Sequence, residues 1–368
     1  MQGFDKLSPN GMLSNGLCGM MATDRKAPGL ARPGEPELPL PEAQSPHPPD
    51  VDRAATLLFV INAASGRHDA DATRELIESA LRTNGRSGEL LFARPQDLAQ
   101  VAQQAALAAC TRRSAVVAVG GDGTINAVAQ AAHGQGCAMG VVPQGTFNYF
   151  ARTHGIPSDP AQALQTLLAC EPVAVQVGLI NERVFLVNAS LGLYPELLQN
   201  REAWKARFGR SRVVAFAAAL ATLLGRRRQL RLRIESGSTV RDVTTPTLFI
   251  GNNRLQFEQV GLAQAGALDQ GCLAAVMLRP IGALAMLWLL LRGSFGTLGE
   301  ADSVESVEFQ RMGVTPRLPW VGRRVKVAFD GEVSAMRAPI EFRVAPKPLY
   351  LIKPVSADGA TGQAGGGA

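Results

Sequence analysis

The turn Gly120–Thr124 reads Gly-Gly-Asp-Gly-Thr and narrows the possible folds and binding sites of this chain more than any other segment. It lies between an apolar run and a helix-like segment. The preceding Val116, Val117 and Val119 are typical of a buried strand that ends in glycine. Glycines free the backbone to turn sharply and to point several N–H groups at one place. A helix over Ile125–Ala132 would direct its positive N-terminal end to the same place. The pattern therefore predicts an anion site suited to phosphate.

The carboxylate of Asp122 within this turn needs an explanation, because a bare phosphate site disfavours negative charge. It makes sense if a divalent metal bridges the carboxylate to phosphates, as in phosphoryl transfer. The alternative is that the glycines serve only the strand–helix turn of a doubly wound sheet. The spacing is not a dinucleotide-binding fingerprint, since Asn126 stands where the third glycine belongs, and the chain contains no Walker-type loop.

Two further polar turns follow predicted strands. Gly145–Asn148 comes after the strand that contains Val141 and Val142, and Asn62–Gly66 comes after the strand Leu57–Ile61. Ligands of open parallel sheets collect at the carboxyl ends of neighbouring strands. We therefore expect the three turns to face one crevice.

The order of elements predicts an α/β first half and a β-rich second half. Strand and helix patterns alternate from about residue 55 to residue 178, as in a parallel sheet flanked by helices. After Pro172 short strands, several of them alternating, predict a mainly antiparallel sandwich or barrel. Val184–Ala189 is one of these strands. A long helical stretch, Glu196–Leu224, interrupts them.

Composition excludes several other classes of protein. A net charge of +6 with 5% aromatic residues does not indicate a nucleic-acid surface, because arginines and aromatics are not interleaved. The five cysteines have no metal-binding spacing, and their odd number favours reduced thiols in a cytoplasm over a disulfide framework. The N-terminal stretch lacks the basic and apolar regions of a secretory signal.

The three turns and the late sequence Asp330-Gly331-Glu332 resemble, in the same order, the diacylglycerol kinase catalytic-domain family. This family includes bacterial lipid kinases and is related to sphingosine kinases and NAD kinases. The resemblance spans roughly residues 55–355. It implies ATP and Mg²⁺ in a crevice between an α/β domain and a β-sandwich, and a lipid alcohol such as diacylglycerol as acceptor.

The predicted fold class is therefore α/β, with an N-terminal doubly wound parallel-sheet domain and a C-terminal, mainly antiparallel β-sandwich domain. The expected divisions are a disordered leader (1–53), a nucleotide-binding domain (54–178) to which residues 346–355 return, a lipid-substrate sandwich (179–345) and a disordered tail (356–368).

The resemblance also implies roles for individual residues. Glu332 is expected to be the catalytic base, Asp330 its helper and Asp122 the carboxylate on the side of the catalytic Mg²⁺. From the residues alone, an ordinary hairpin turn at Asp330-Gly331 that leaves Glu332 exposed is the favoured interpretation, and only the resemblance favours the catalytic one. The nucleotide is expected on Asn62, Ser65, Gly66, Gly120, Gly121, Asp122, Gly123, Thr124, Asn126, Gly145, Thr146 and Asn148.

Two positions depart from the family pattern. Asp269 matches the first of two aspartates beside a structural Mg²⁺, but Gln270 replaces the second, and an amide is a weaker ligand for a hard cation. Tyr149 stands where many relatives carry aspartate. These departures leave open a non-catalytic nucleotide-binding or membrane-associated protein, beside the alternative of a kinase for NAD or sphingosine.

Two segments bear on membranes. Ile281–Leu291 is too short to span a bilayer and predicts either a core helix or an interfacial one. An arginine cluster is either a solvated face or a site for anionic lipid, and it comprises Arg226, Arg227, Arg228, Arg231, Arg233 and Arg241. We expect a cytoplasmic protein, peripheral at the inner membrane surface and without a transmembrane helix. The oligomeric state is open, with a homodimer as one option.

Overall fold

The computed structural model describes residues 47–63, 67–192, 229–259, 268, 270–279, 303–317 and 324–354. The first elements are β1 (Leu57–Asn62), α1 (Arg67–Thr83), β2 (Gly88–Ala93), α2 (Leu98–Thr111), β3 (Ala115–Gly120), α3 (Asp122–Gln135), β4 (Ala138–Pro143), α4 (Tyr149–Thr153), α5 (Pro160–Ala169) and β5 (Pro172–Val175). The later elements are β6 (Gly178–Ile180), β7 (Arg183–Phe185), β8 (Asn188–Gly192), β9 (Leu230–Ser236), β10 (Thr239–Thr245), β11 (Thr247–Gly251), α6 (Arg254–Gln259), β12 (Leu273–Leu278), β13 (Val304–Phe309), β14 (Arg311–Pro316), β15 (Arg324–Phe329), β16 (Glu332–Arg337), β17 (Ile340–Val344) and β18 (Leu349–Ile352).

The first sheet has the strand order β2-β1-β3-β4-β18-β5. Its strands pair in parallel except for β5, which runs antiparallel to β18. Right-handed crossovers place α2 and α3, which contact each other, on one face, and α1 and α5 on the other. Strands β3 and β4 are buried along their whole length, because helices cover both faces. This is the doubly wound α/β arrangement that the sequence predicts.

The remaining strands form two antiparallel sheets. The second sheet has the order β10-β9-β14-β17-β6-β7, and the third has the order β13-β12-β11-β8-β15-β16. Their inner faces share one apolar core, to which the second sheet contributes Phe185 and Phe342 and the third contributes Leu191 and Leu248. The predicted antiparallel sandwich is thus confirmed. The chain changes from the first sheet to the second between β5 and β6, and we propose the domain boundary there.

One predicted strand was wrong in its extent. The apolar run Val184–Ala189 forms two strands, with β7 in the second sheet and β8 in the third. The chain leaves the ladder at Leu186 and Val187, whose backbone N–H groups both donate to the carboxylate of Asp330. A buried acceptor therefore replaces strand pairing at this point.

Several predicted features lie outside the described residues. They are most of the leader (1–53), the tail (356–368), the helix Glu196–Leu224, the apolar segment Ile281–Leu291, and Ser65, Gly66, Asp269 and Arg226–Arg228.

Candidate functional site

Two of the predicted glycine turns touch each other at the carboxyl ends of β3 and β4. The N–H of Gln144 donates to the carbonyl of Gly120 at 2.8 Å, which continues the strand pairing into the turns. A Cβ built on Gly145 would lie 2.9 Å from Cα of Gly121 and 2.7 Å from Oδ1 of Asn148. Only glycine allows this approach, so the two turns form a single surface.

The replacement Gly145→Ala should therefore separate the two turns. We expect it to destabilise the protein by about 1 to 3 kcal/mol, because the added methyl group meets backbone that has no room to retreat. The matched control is Gly134→Ala in α3, where a Cβ meets nothing within 4 Å and helix propensity favours alanine. Urea unfolding measures both variants, and equal stability of the two would contradict the close contact.

Helix α3 begins at this surface. Gly121 is its N-cap residue, and the first intrahelical hydrogen bond runs from the N–H of Ile125 to the carbonyl of Gly121. The N–H groups of Asp122, Gly123 and Thr124 therefore have no acceptor within the helix. Together with the helix dipole they offer a cradle suited to an anion, and the binding of phosphate there stays a prediction.

Asn148 closes the second turn from inside. Asn148 is buried, and its backbone is left-handed, with φ of +47°. Its Oδ1 accepts from the N–H of Gly145 at 3.0 Å, and its Nδ2 donates to the carbonyl of Gly145 at 2.8 Å. These two bonds engage both the oxygen and the nitrogen of the amide, so Asn148 shapes the turn. Thr146 next to it is exposed and faces solvent.

Asp122 has one occupied and one unoccupied carboxylate oxygen. Its Oδ2 accepts from the backbone N–H of Asn148 at 3.2 Å, which joins the two turns. Its Oδ1 is buried without a hydrogen-bond partner. Burial raises the pKa of Asp122, while the N–H groups of Asn148 and Tyr149 act in the opposite direction.

A buried carboxylate oxygen without a donor fits a hard divalent cation. Among the described residues no three His, Cys, Asp or Glu side chains come together as a metal-binding group. A Mg²⁺ ion on Asp122 would therefore take its remaining ligands from phosphate oxygens and water, which is the usual way that proteins bind this ion.

Asp330 lies in the two-residue turn that joins β15 to β16. Asp330 and Gly331 both have positive φ, at 46° and 88°, as a tight hairpin turn of the primed type requires. The reading of Asp330-Gly331 as a hairpin turn is therefore correct for the backbone. The turn also separates the two acidic side chains, because no hydrogen bond joins Asp330 to Glu332.

The carboxylate of Asp330 accepts four hydrogen bonds. Three come from backbone N–H groups, of Leu186 at 2.7 Å, Val187 at 2.8 Å and Asn188 at 3.1 Å. The fourth comes from the side-chain amide of Asn126 in α3, at 2.7 Å. Burial raises the pKa of Asp330 to about 6, although the four hydrogen bonds act in the opposite direction. Asp330 thus ties α3 to the sandwich.

Glu332 faces the phosphate cradle. Its Oε1 lies 3.8 Å from a Cβ built on Gly123, and the residue is exposed at the start of β16. Both residues line a cleft of about 640 Å³, together with Gly121, Thr124 and Asn62. The structure therefore brings the late acidic motif to the first turn, although 209 residues separate Gly123 from Glu332.

The sequence did not single out two further polar residues of this cleft, Gln130 and Arg183. Gln130 Oε1 accepts from the backbone N–H of Val184 at 2.7 Å, and Asn126 donates to the carbonyl of Val184 at 3.2 Å. These bonds fix β7 on α3 and place Arg183 in the wall of the cleft. The only sequence signal was the position of Gln130 one helical turn after Asn126.

The loop where a structural metal was expected contains an amide network. Gln176 Nε2 donates to Oδ1 of Asn252 at 2.8 Å and to the carbonyl of Cys272 at 3.0 Å. Gln270 is exposed, and Asp269 itself lies outside the described residues. None of the described helices has the length and apolarity that crossing a bilayer requires.

Part of the chain is similar to known protein sequences. Residues 56–180 match the family model of the diacylglycerol kinase catalytic domain. A protein of Pseudomonas aeruginosa named "probable lipid kinase YegS-like" is 29% identical over 301 residues, which cover 78% of this chain and 92% of the relative. A protein of the same name from Klebsiella pneumoniae is 40% identical over 79 residues, which cover 21% of this chain and 27% of the relative.

Solved structures share the fold. Two crystal structures from Bacillus anthracis align with TM-scores of 0.65 and 0.61, at 18% identity and over 82% of this chain. The alignments cover 96% and 97% of the other chains, and the second structure is named as a diacylglycerol kinase. At this identity the likeness establishes the two-part architecture.

Proposed function

We propose that this chain, whose residues 56–180 match the family model of the diacylglycerol kinase catalytic domain, is an ATP- and Mg²⁺-dependent lipid kinase. It transfers the γ-phosphate of ATP to the hydroxyl group of diacylglycerol or a related lipid alcohol. The observation that carries the proposal is the position of Glu332, whose carboxylate lies beside the N-terminal turn of α3. A base and a phosphate cradle in one cleft are what transfer to an alcohol needs.

The roles follow from the geometry of the cleft. The triphosphate lies on the N–H groups at the start of α3 and along the paired glycine turns. Asp122 would hold Mg²⁺, which would supply neutralisation of the charge on the phosphates. The carboxylate of Glu332 accepts the hydroxyl proton while the alcohol oxygen bonds to the γ-phosphorus and the bond to ADP breaks. Asp330 is a positioning residue. Its carboxylate accepts hydrogen bonds from backbone N–H groups of the sandwich and so holds the turn that precedes Glu332.

A transfer assay with γ-radiolabelled ATP tests the proposal. The acceptors are total lipid extract, diacylglycerol, sphingosine and NAD in separate reactions, each with Mg²⁺ or with excess EDTA. We expect a labelled product in the organic phase with lipid extract and with diacylglycerol, and none when EDTA removes the cation.

The other outcomes separate the alternatives. If only sphingosine or only NAD became labelled, that compound and not diacylglycerol would be the acceptor. Nucleotide binding without label on any acceptor would identify a non-catalytic protein of this fold. We further propose that the enzyme works as a peripheral protein on the cytoplasmic membrane surface, where its substrate lies.

A further inference from the structure

The arginine cluster predicted from the sequence is partly neutralised in the structure. Arg233 on β9 lies 3.6 Å from the carboxylate of Asp242, and Arg241 on β10 forms an ion pair with Glu305. Asp242 also accepts an ion pair from Arg317. Paired charges at a surface attract an anionic partner weakly, so this face of the second sheet is a poor candidate for lipid docking.

A second group of basic residues lies on the hairpin of β15 and β16. Arg324 and Arg337 are directly opposite each other in the antiparallel register, and Lys326 is the next residue of β15 that points the same way. All three are exposed. We call these three residues the hairpin basic face. The other residues with this orientation on the two strands are Ala328, Val333 and Ala335, so the face contains no acidic residue.

The opposed arginines are energetically unfavourable in the protein by itself. Like charges directly across a strand pair repel each other. Neither Arg324 nor Arg337 forms an ion pair or hydrogen bond with another residue in the part of the chain that the structure describes. Strand β16 is an edge of its sheet, and a charged side chain on it can hinder pairing with another chain, but this does not require a like charge directly opposite on β15. Two arginines held face to face are better explained by an external anion.

The position of the hairpin relates this face to the reaction. Glu332 starts β16 and Arg337 ends it, so about 17 Å of extended strand joins the catalytic carboxylate to the basic pair. The strand is paired along its length with β15, which is itself paired with β8, so the spacing is rigid. A surface bound by the arginines is therefore held at a fixed distance from the base.

We propose that the hairpin basic face docks the protein on an anionic phospholipid bilayer. The occupant follows from charge complementarity, since headgroup phosphates can lie between two guanidinium groups and remove their repulsion. The purpose of this docking rests on the proposed lipid kinase function, because the acceptor alcohol resides in the same bilayer. The docking itself requires no turnover.

Flotation with vesicles tests the docking without ATP. The vesicles consist of phosphatidylcholine alone or with phosphatidylglycerol, and the proteins are the wild type and the double variant Arg324→Gln/Arg337→Gln. Because each basic residue near an anionic surface contributes about 1 kcal/mol, we expect the double variant to bind anionic vesicles at least tenfold more weakly. The control double variant Arg82→Gln/Arg112→Gln removes two exposed charges from the α/β part and should bind like the wild type.

A kinase assay distinguishes failed docking from failed catalysis. The double variant should phosphorylate a water-soluble short-chain diacylglycerol at the wild-type rate and diacylglycerol in anionic vesicles more slowly. Equal flotation of the double variant and the wild type would overturn the docking whatever the acceptor is. Absence of wild-type binding to anionic vesicles would overturn it as well, and neither result bears on transfer to the soluble substrate.

Discussion

The replacement Glu332→Gln is expected to reduce phosphoryl transfer by about 100- to 10,000-fold, which is the usual contribution of a general base. Glutamine keeps the size of the side chain and its place beside Gly123, but its amide cannot take a proton from the acceptor hydroxyl. The loss should appear in kcat with lipid as the varied substrate, while the affinity for ATP changes little, because the phosphate cradle consists of backbone N–H groups.

The same replacement should leave the fold intact. Glu332 is exposed and forms no hydrogen bond or ion pair with the described residues, so we expect its charge to contribute little to the free energy of unfolding. Glu308→Gln on the exposed face of β13 is the matched control, since it removes one carboxylate from another strand of the same sheet. Urea unfolding should give the two variants and the wild type equal free energies within about 0.5 kcal/mol.

Steady-state rates with radiolabelled ATP then decide the assignment. We expect wild-type kcat for Glu308→Gln and a severe loss for Glu332→Gln. Near-wild-type turnover of a folded Glu332→Gln protein would show that another group, or the substrate phosphate itself, accepts the proton. It would leave the kinase function in place and remove only the role of the base.

The sequence could predict the glycine turn at the start of α3 because local rules determine it. A valine-rich strand, a glycine turn and a helix of small residues predict the same local structure in any parallel sheet. The carboxyl ends of neighbouring parallel strands lie side by side at one edge of the sheet. The contact between Gly121 and Gly145 is therefore a direct consequence of two motifs one β-α-β unit apart. The sequence also marked Glu332, although only through its resemblance to a family.

The role of Asp330 could not be predicted in this way. Its partners lie 142 to 204 residues away, and three of them are backbone N–H groups, which any sequence supplies. The apolar run Val184–Ala189 has the pattern of one strand, and only the carboxylate explains its division. For the same reason the ion pairs of Arg233 and Arg241 depend on cross-strand neighbours that a linear cluster does not reveal.

The replacement Asp330→Asn should have the largest effect on stability. The two carboxylate oxygens each accept two hydrogen bonds, Oδ1 from Val187 and Asn188, and Oδ2 from Leu186 and Asn126. In either orientation the amide NH₂ of asparagine would face two donors and leave them without an acceptor. Unsatisfied buried donors cost free energy, so we expect a loss of about 2 to 4 kcal/mol in the free energy of unfolding.

The pH dependence gives a second readout. The pKa of Asp330 is raised to about 6 in the folded protein, from the ordinary value of 3.8 for an aspartate. Between these two pH values the folded state therefore binds more protons than the unfolded state. The free energy of unfolding of the wild type should therefore decrease as the pH rises from about 4 to about 6, relative to the asparagine variant, which does not titrate. If the carboxyl group of Asp330 did not have a raised pKa, the free energies of unfolding of the two proteins would not diverge in this way with pH.

Urea unfolding at several pH values measures both effects, with Asp242→Asn as the matched control. Asp242 is an exposed aspartate of the same sandwich whose ion pairs lie at the surface, so its loss should cost about 1 kcal/mol or less. Because Asp330 holds the turn that precedes Glu332, its variant should also lose kcat under conditions where it is folded. Equal stability of Asp330→Asn and Asp242→Asn would contradict the four-donor network, and full activity of the folded variant would show that Glu332 is positioned without it.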